Sequence, residues 1–156
     1  MLFRSALLVV DLPPEEGSVL RAALQARGLS LVPLMSPTSD GERVRLALEQ
    51  ASGFIYYVSV TGVTGSADAP LEAASRAAAE LRCRAGLPVV VGFGVDSPEK
   101  ARAAAGPPDG GADGVVVGTA IVRLVEAAAT RELAVDGVYA FVRSLRVALD
   151  AESVDR

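Results

Sequence analysis

With 156 residues, 51% of them apolar, the chain is long enough for one domain with a sizeable core. Its formal charge is −4 and its 15 Lys and Arg are scattered, which excludes a basic face of the kind that tracks nucleic-acid phosphates and points to a small-molecule or protein partner. It contains no histidine, so imidazole metal ligation, a Ser-His-Asp triad and imidazole acid–base work are all excluded.

The first apolar run, Ser5 to Val10, is interrupted by Asp11 and lacks a small-residue cleavage site. It is predicted to be a buried strand rather than a signal peptide. No run approaches about 18 apolar residues, the minimum for spanning a membrane. The mean hydropathy of +0.37 is therefore assigned to buried strands and Ala-rich helices, and a cytoplasmic location with no membrane partner is expected.

Nearly continuous β-branched runs recur at Ala6 to Val10, Leu29 to Met35, Phe54 to Val60, Pro88 to Val91 and Gly114 to Gly118, the pattern of strands buried on both faces. Helix starts are predicted at Pro13-Pro14-Glu15-Glu16, at Ser39-Asp40-Gly41-Glu42 and at Ser97-Pro98-Glu99, from proline, acid and capping-box spacing. Gly28, Gly53 and Gly86 stand where left-handed helix terminators belong. Cys83, the sole cysteine, lies in the helical pattern from about Leu71 to Ala85 and is expected to be a small buried hydrophobe in a reducing compartment. Gly106-Pro107-Pro108-Asp109-Gly110-Gly111 is a turn-rich connector. A last helix is predicted after an N-cap at Asp136, continuing to about Leu149, with a fraying tail from Asp150 to Arg156. The order βαβαβαβαβα implies an α/β fold with parallel strands in one domain over residues 1–156.

Two glycine-bearing turns follow adjacent strands: Gly92-Phe93-Gly94 after the fourth and Gly118-Thr119 after the fifth. Such turns can simply be tight. Placed together at strand C-terminal ends, they also offer backbone N–H groups and a helix start to an anion, with the Thr119 hydroxyl and a Gly65 amide as further donors. Asp11, at a strand end, could serve as a general base, although a helix-start or interface role suits it better, and Glu15 and Glu16 read as first-turn charges.

The string from Gly53 to Gly65, Gly-Phe-Ile-Tyr-Tyr-Val-Ser-Val-Thr-Gly-Val-Thr-Gly, lies beside Val9-Val10-Asp11-Leu12-Pro13-Pro14-Glu15-Glu16, Ser36-Pro37-Thr38-Ser39, Val91-Gly92-Phe93-Gly94 and Gly114 to Ala120. Together these motifs resemble the alpha subunit of tryptophan synthase. The resemblance implies a partial (β/α)8 TIM barrel whose five strands match the fourth to eighth of the family. A complete barrel of this kind needs about 250 residues. It implies a lineage that cleaves indole-3-glycerol phosphate by a retro-aldol reaction to indole and glyceraldehyde 3-phosphate, without a cofactor of its own, and a beta-subunit partner that uses pyridoxal phosphate.

Carried over, Gly65, Phe93, Gly94, Gly118 and Thr119 match positions around the substrate phosphate. Leu8, Val10, Met35 and Tyr56 match the pocket, and Thr64 matches a threonine of the closing loop. The family's two catalytic carboxylates have no counterpart here, so no catalytic residue is assigned. Two readings stay open: an incomplete alpha-type lyase that is inactive alone, and a non-catalytic module that binds phosphate compounds or self-associates through open barrel edges.

Overall fold

The computed structural model describes residues 6–10, 12–13, 15–39, 41–49, 51, 53–59, 69–107 and 110–151. Parallel strands alternate with helices: β1 (Ala6–Leu8), α1 (Ser18–Gln25), β2 (Ser30–Val32), β3 (Leu34–Met35), α2 (Gly41–Glu49), β4 (Ile55–Val58), α3 (Ala69–Ala85), β5 (Val89–Gly92), α4 (Pro98–Ala105), β6 (Gly114–Val116), α5 (Thr119–Ala127) and α6 (Arg131–Asp150). Strand β1 pairs with β2, and a second sheet runs β3-β4-β5-β6 in chain order. All pairings are parallel, so every strand's C-terminal end lies at the same side.

The strand predicted from Leu29 to Met35 is broken at Pro33, which has no N–H to give to a ladder. Its first half faces β1 and its second half faces β4, with the Pro33 carbonyl accepting from the Tyr56 N–H at 3.0 Å. Pro13 does not begin a helix, and Pro14 lies outside the described residues. The Glu16 N–H closes a turn onto the Pro13 carbonyl at 3.0 Å, and α1 starts at Ser18 behind Gly17.

Two helices, rather than one, follow β6. Ala128 is extended, and the Thr130 hydroxyl caps α6 by accepting from the Leu133 N–H at 3.3 Å; Asp136 therefore lies inside α6 and is not its cap. The expected start of α4 is present, with Pro98 in the first turn and Ser97 accepting from the Lys100 N–H at 3.3 Å. Gly28, Gly53 and Gly86 have positive φ, as their terminating positions require. The tail beyond Ala151 lies outside the described residues.

Alternation along the strands separates two faces. Ile55 and Tyr57 of β4, Val89 and Val91 of β5 and Met35 of β3 pack on Leu71, Ala74, Ala78 and Leu81 of α3, on Ala101 and Ala104 of α4 and on Leu145 of α6. Ile55, Val89, Val91, Ala78, Ala101 and Ala104 are each 0% exposed, and burying a valine or isoleucine contributes about 1.5–3 kcal/mol. Alanines on the buried faces let α3 and α4 approach the sheet closely. Cys83 corrects the expectation made for it: it is exposed, because it falls two residues past Leu81, on the far side of α3.

At the N-terminal ends of the strands, the Asp113 carboxylate accepts from the Val89 N–H at 2.8 Å and from Arg82 at 3.1 Å. This ties the entry of β6 to β5 and α3. Among the described residues, strand β1 has one neighbour, β2, and Leu7 on it is 42% exposed; β6 has one neighbour, β5. Among the described residues, no helix is long and apolar enough to cross a membrane.

Candidate functional site

A cavity of about 370 Å³ opens at the C-terminal ends of β5 and β6, lined by Tyr56, Phe93, Gly94, Val95, Asp96, Val116, Gly118, Thr119, Ala120 and Arg123. Tyr56 comes from β4, on the face turned away from the helices. Its ring fits because residue 92 is glycine: a Cβ there would lie 1.9 Å from the Tyr56 hydroxyl oxygen. Tyr56 is 7% exposed, and its hydroxyl has no hydrogen-bond partner among the described residues. Burial pushes its pKa above the ordinary tyrosine value, so at neutral pH it keeps its proton and can donate a hydrogen bond. The Phe93 ring stands edge-on to it, with centroids 6.2 Å apart.

The turn after β5 is unusual in its backbone. Phe93 has φ +74° and Gly94 has φ +77°, and Phe93 is the only non-glycine with positive φ among the described residues. A side-chain-bearing residue in that region costs about 1–2 kcal/mol, and such outliers persist where the surroundings enforce them. Here the enforcement is Ser59, whose hydroxyl reaches the carbonyl oxygens of Gly92 and Phe93 at 2.9 and 2.6 Å.

The other wall is the start of α5. The N–H groups of Ile121 and Val122 bond to the Gly118 carbonyl at 2.9 and 3.1 Å. Those of Gly118, Thr119 and Ala120 have no acceptor among the described residues, and neither do those of Phe93 and Gly94. A helix N-terminus carries a partial positive charge, which these donors direct into the cavity. Arg123 adds a full positive charge with no ion pair among the described residues, whereas Asp96 at the rim is held by Lys100 at 2.8 Å. An arrangement of this kind can receive an anion with several acceptor oxygens.

A family model described as "Tryptophan synthase alpha chain" matches residues 4–150. The chain belongs to the tryptophan synthase alpha chain family. It is 51% identical over 121 residues to the tryptophan synthase alpha chain of Citrifermentans bemidjiense, covering 78% of this chain and 44% of the relative. It is 46% identical over 142 residues to that of Geobacter sulfurreducens, covering 91% of this chain and 52% of the relative. The crystal structure of the alpha chain from Legionella pneumophila superposes with a TM-score of 0.76 at 30% identity, covering 96% of this chain and 53% of that one. A tryptophan synthase complex from Pyrococcus furiosus superposes with a TM-score of 0.68 at 29% identity, covering 91% and 54%. The chain thus spans about half the length of the relatives it matches. Its parallel β/α architecture is part of the TIM barrel of this family.

The structure brings together Tyr56, Phe93, Gly94, Gly118 and Thr119 in the one cavity. It does not bring Met35 there. Met35 is in register with Tyr57, points with it toward the helices and is 1% exposed in the core. Leu8 is half-buried opposite Val32, and Val10, 54% exposed, sits in the turn after β1; neither lines the cavity. Gly65, Thr64 and Asp11 lie outside the described residues. Sequence reasoning passed over Ser59, Asp96 and Arg123. Arg123 carried a readable signal, since it falls one helical turn after Thr119 on the same face.

Proposed function

We propose that this chain holds the phosphate of a phosphorylated small molecule between the turn after β5 and the start of α5, as the phosphate-binding half of an alpha-type tryptophan synthase barrel. The observation that carries this reading is that five residues lining one cavity, Phe93, Gly94, Gly118, Thr119 and Ala120, have N–H groups with no acceptor among the described residues. The Thr119 hydroxyl adds a donor, and Gly65, by family correspondence, another amide. Tyr56 and Phe93 form an apolar wall beside the phosphate, suited to the flat indole of indole-3-glycerol phosphate.

The lineage's retro-aldol reaction, giving indole and glyceraldehyde 3-phosphate, calls for two positioned carboxylates, each contributing a factor of about 10² to 10⁴. Among the described residues that line the cavity, the only carboxylate is Asp96, already paired with Lys100. Binding without such groups does not lower the chemical barrier. Residues 1–156 alone therefore bind but do not turn over, and catalysis requires the family's first three βα units. A beta-subunit partner follows from the same kinship, the Pyrococcus furiosus relative having been solved as an a2b2 complex. The single-neighbour edges of β1 and β6 favour self-association when nothing else covers them.

The test is a titration with glycerol 3-phosphate followed by amide chemical shifts, with a lyase assay run beside it, with and without a separately expressed fragment bearing the first three βα units. Shifts at Gly94 and Thr119 and activity only on mixing are expected. A folded sample showing no shift at millimolar ligand sinks the phosphate site; turnover by residues 1–156 alone sinks the division of labour.

A further inference from the structure

We infer that Ser59 is the positioning residue of the anion site: its buried hydroxyl orients the peptide whose N–H, that of Gly94, faces the ligand. The inference rests on the phosphate reading above and adds to it the residue that sets the donor geometry.

Ser59 follows β4 directly and is 2% exposed, one of only two buried polar residues among those described. A buried hydroxyl is unfavourable unless it is bonded, and this one has a single proton to share between two carbonyls, at 2.9 Å from Gly92 and 2.6 Å from Phe93. The two carbonyls are not equally dependent on it. That of Gly92 also accepts from the Ser59 backbone N–H at 3.0 Å, a bond any residue at position 59 would make. That of Phe93 has no other donor among the described residues. What the side chain specifically contributes is therefore the anchoring of the Phe93 carbonyl.

In a trans peptide the C=O of one residue and the N–H of the next point in opposite directions. Drawing the Phe93 carbonyl toward Ser59 turns the Gly94 N–H away from it. Drawing the Gly92 carbonyl the same way turns the Phe93 N–H outward too. Two successive amides then project to one side, an arrangement that can make an anion-binding concavity, in a turn where Phe93 and Gly94 both have positive φ. Neither amide has an acceptor among the described residues, and Phe93 and Gly94 both line the cavity. Ser59 itself does not line it. It acts through the turn and never touches the ligand.

The experiment uses the 156-residue chain with inorganic phosphate and glycerol 3-phosphate as probes, read by ¹⁵N amide shifts on wild type, Ser59→Ala and Ser59→Thr. Ser59→Ala is expected to remain folded and to bind phosphate about tenfold more weakly, the loss of roughly one hydrogen bond's contribution. The phosphate-induced shift of Gly94 should collapse while those of Thr119 and Ala120 persist. Ser59→Thr, which keeps the hydroxyl, should recover both affinity and the Gly94 shift. A merely structural serine would weaken all the shifts together.

Wild type that binds, with Ser59→Ala binding equally well and still shifting Gly94, overturns this inference and leaves the phosphate site standing. Wild type that shows no shift at any of these amides overturns both. If the alanine variant does not fold, wild type decides alone: a Ser59 hydroxyl proton protected from exchange supports the anchor, and one exchanging with solvent as fast as a surface serine refutes it.

Discussion

The turn Gly92-Phe93-Gly94 leaves the C-terminal end of β5, and the connector from Gly106 to Gly111 enters the N-terminal end of β6; both are dense in glycine. In the connector the N–H groups of Gly106 and Gly110 are satisfied locally, as is that of Ala112 just beyond it. Gly106 donates to the Arg102 carbonyl at 2.9 Å, Gly110 to Pro107 at 3.1 Å and Ala112 to Ala105 at 2.7 Å. Its glycines serve packing, since a Cβ on Gly111 would lie 1.8 Å from the Ala105 carbonyl oxygen and one on Gly106 2.0 Å from the Ser75 hydroxyl. In the turn after β5 the N–H groups of Phe93 and Gly94 have no acceptor among the described residues. Glycine density alone thus does not distinguish the two turns; the placement of unbonded amides at the cavity does.

The largest test of that contrast is Gly111→Ala. Its new methyl meets backbone, which cannot swing aside, so a loss of about 3 kcal/mol is expected, the upper range of overpacking. That corresponds to a fall in Tm of roughly 6–12 °C for a domain of this size. Phosphate affinity of the folded fraction should not change, and calorimetry with a parallel titration would show a failure on either side.

Gly94→Ala reverses the proportions. At φ +77° the substitution costs about 1 kcal/mol of stability, and binding should weaken about tenfold or more because the methyl lies beside the approaching oxygens. Gly118→Ala is its control. With φ −119° and nothing within 4 Å of the new Cβ, it should shift stability by less than about 0.5 kcal/mol, so any lost affinity reports ligand approach alone.

The smallest effect is a titration. Burial raises the pKa of Tyr56, and burial together with Glu80 raises that of Tyr57. A group whose folded pKa exceeds its unfolded value of 10.0 contributes stability fully below that pH, and the contribution is lost as pH rises through the folded pKa. Tyrosinate absorbance should therefore include a late phase, coincident with weakening stability, that diminishes in Tyr56→Phe and again in Tyr57→Phe. Ionisation of both rings at pH 10 in the folded protein would contradict it.

The strand cores were legible because short, β-branched runs such as Ile55–Val58 and Val89–Gly92, bounded by turn residues, fit strands buried on both faces better than helices. The same continuity hid which side each residue faces. With both faces apolar, Met35 and Tyr56 look equivalent in sequence, and only the register shows that they point to opposite sides. The break between α5 and α6 was hidden by Ala127-Ala128-Ala129, three good helix formers; Thr130 wins as a cap, and α5 turns back to pack on α6. In the site, the glycines and Thr119 were readable as turn and helix-start chemistry. Ser59 was not, because a lone buried serine at a strand end has no periodicity, and its meaning lies in a contact 34 residues away.

Strand order in space repeats strand order in the chain, and every substantial packing contact joins a unit to itself or to the next one along. The molecule therefore behaves energetically as a short one-dimensional array, in which each unit's stability is set by its own contacts plus those of its immediate neighbours. Inner units such as β4 and β5 are clamped from two sides, and the outermost strands from one. Opening then proceeds inward from the rims, and amide protons should exchange slowest along the β4–β5 seam. An array of this kind can be lengthened or shortened by whole units without rewriting its interior.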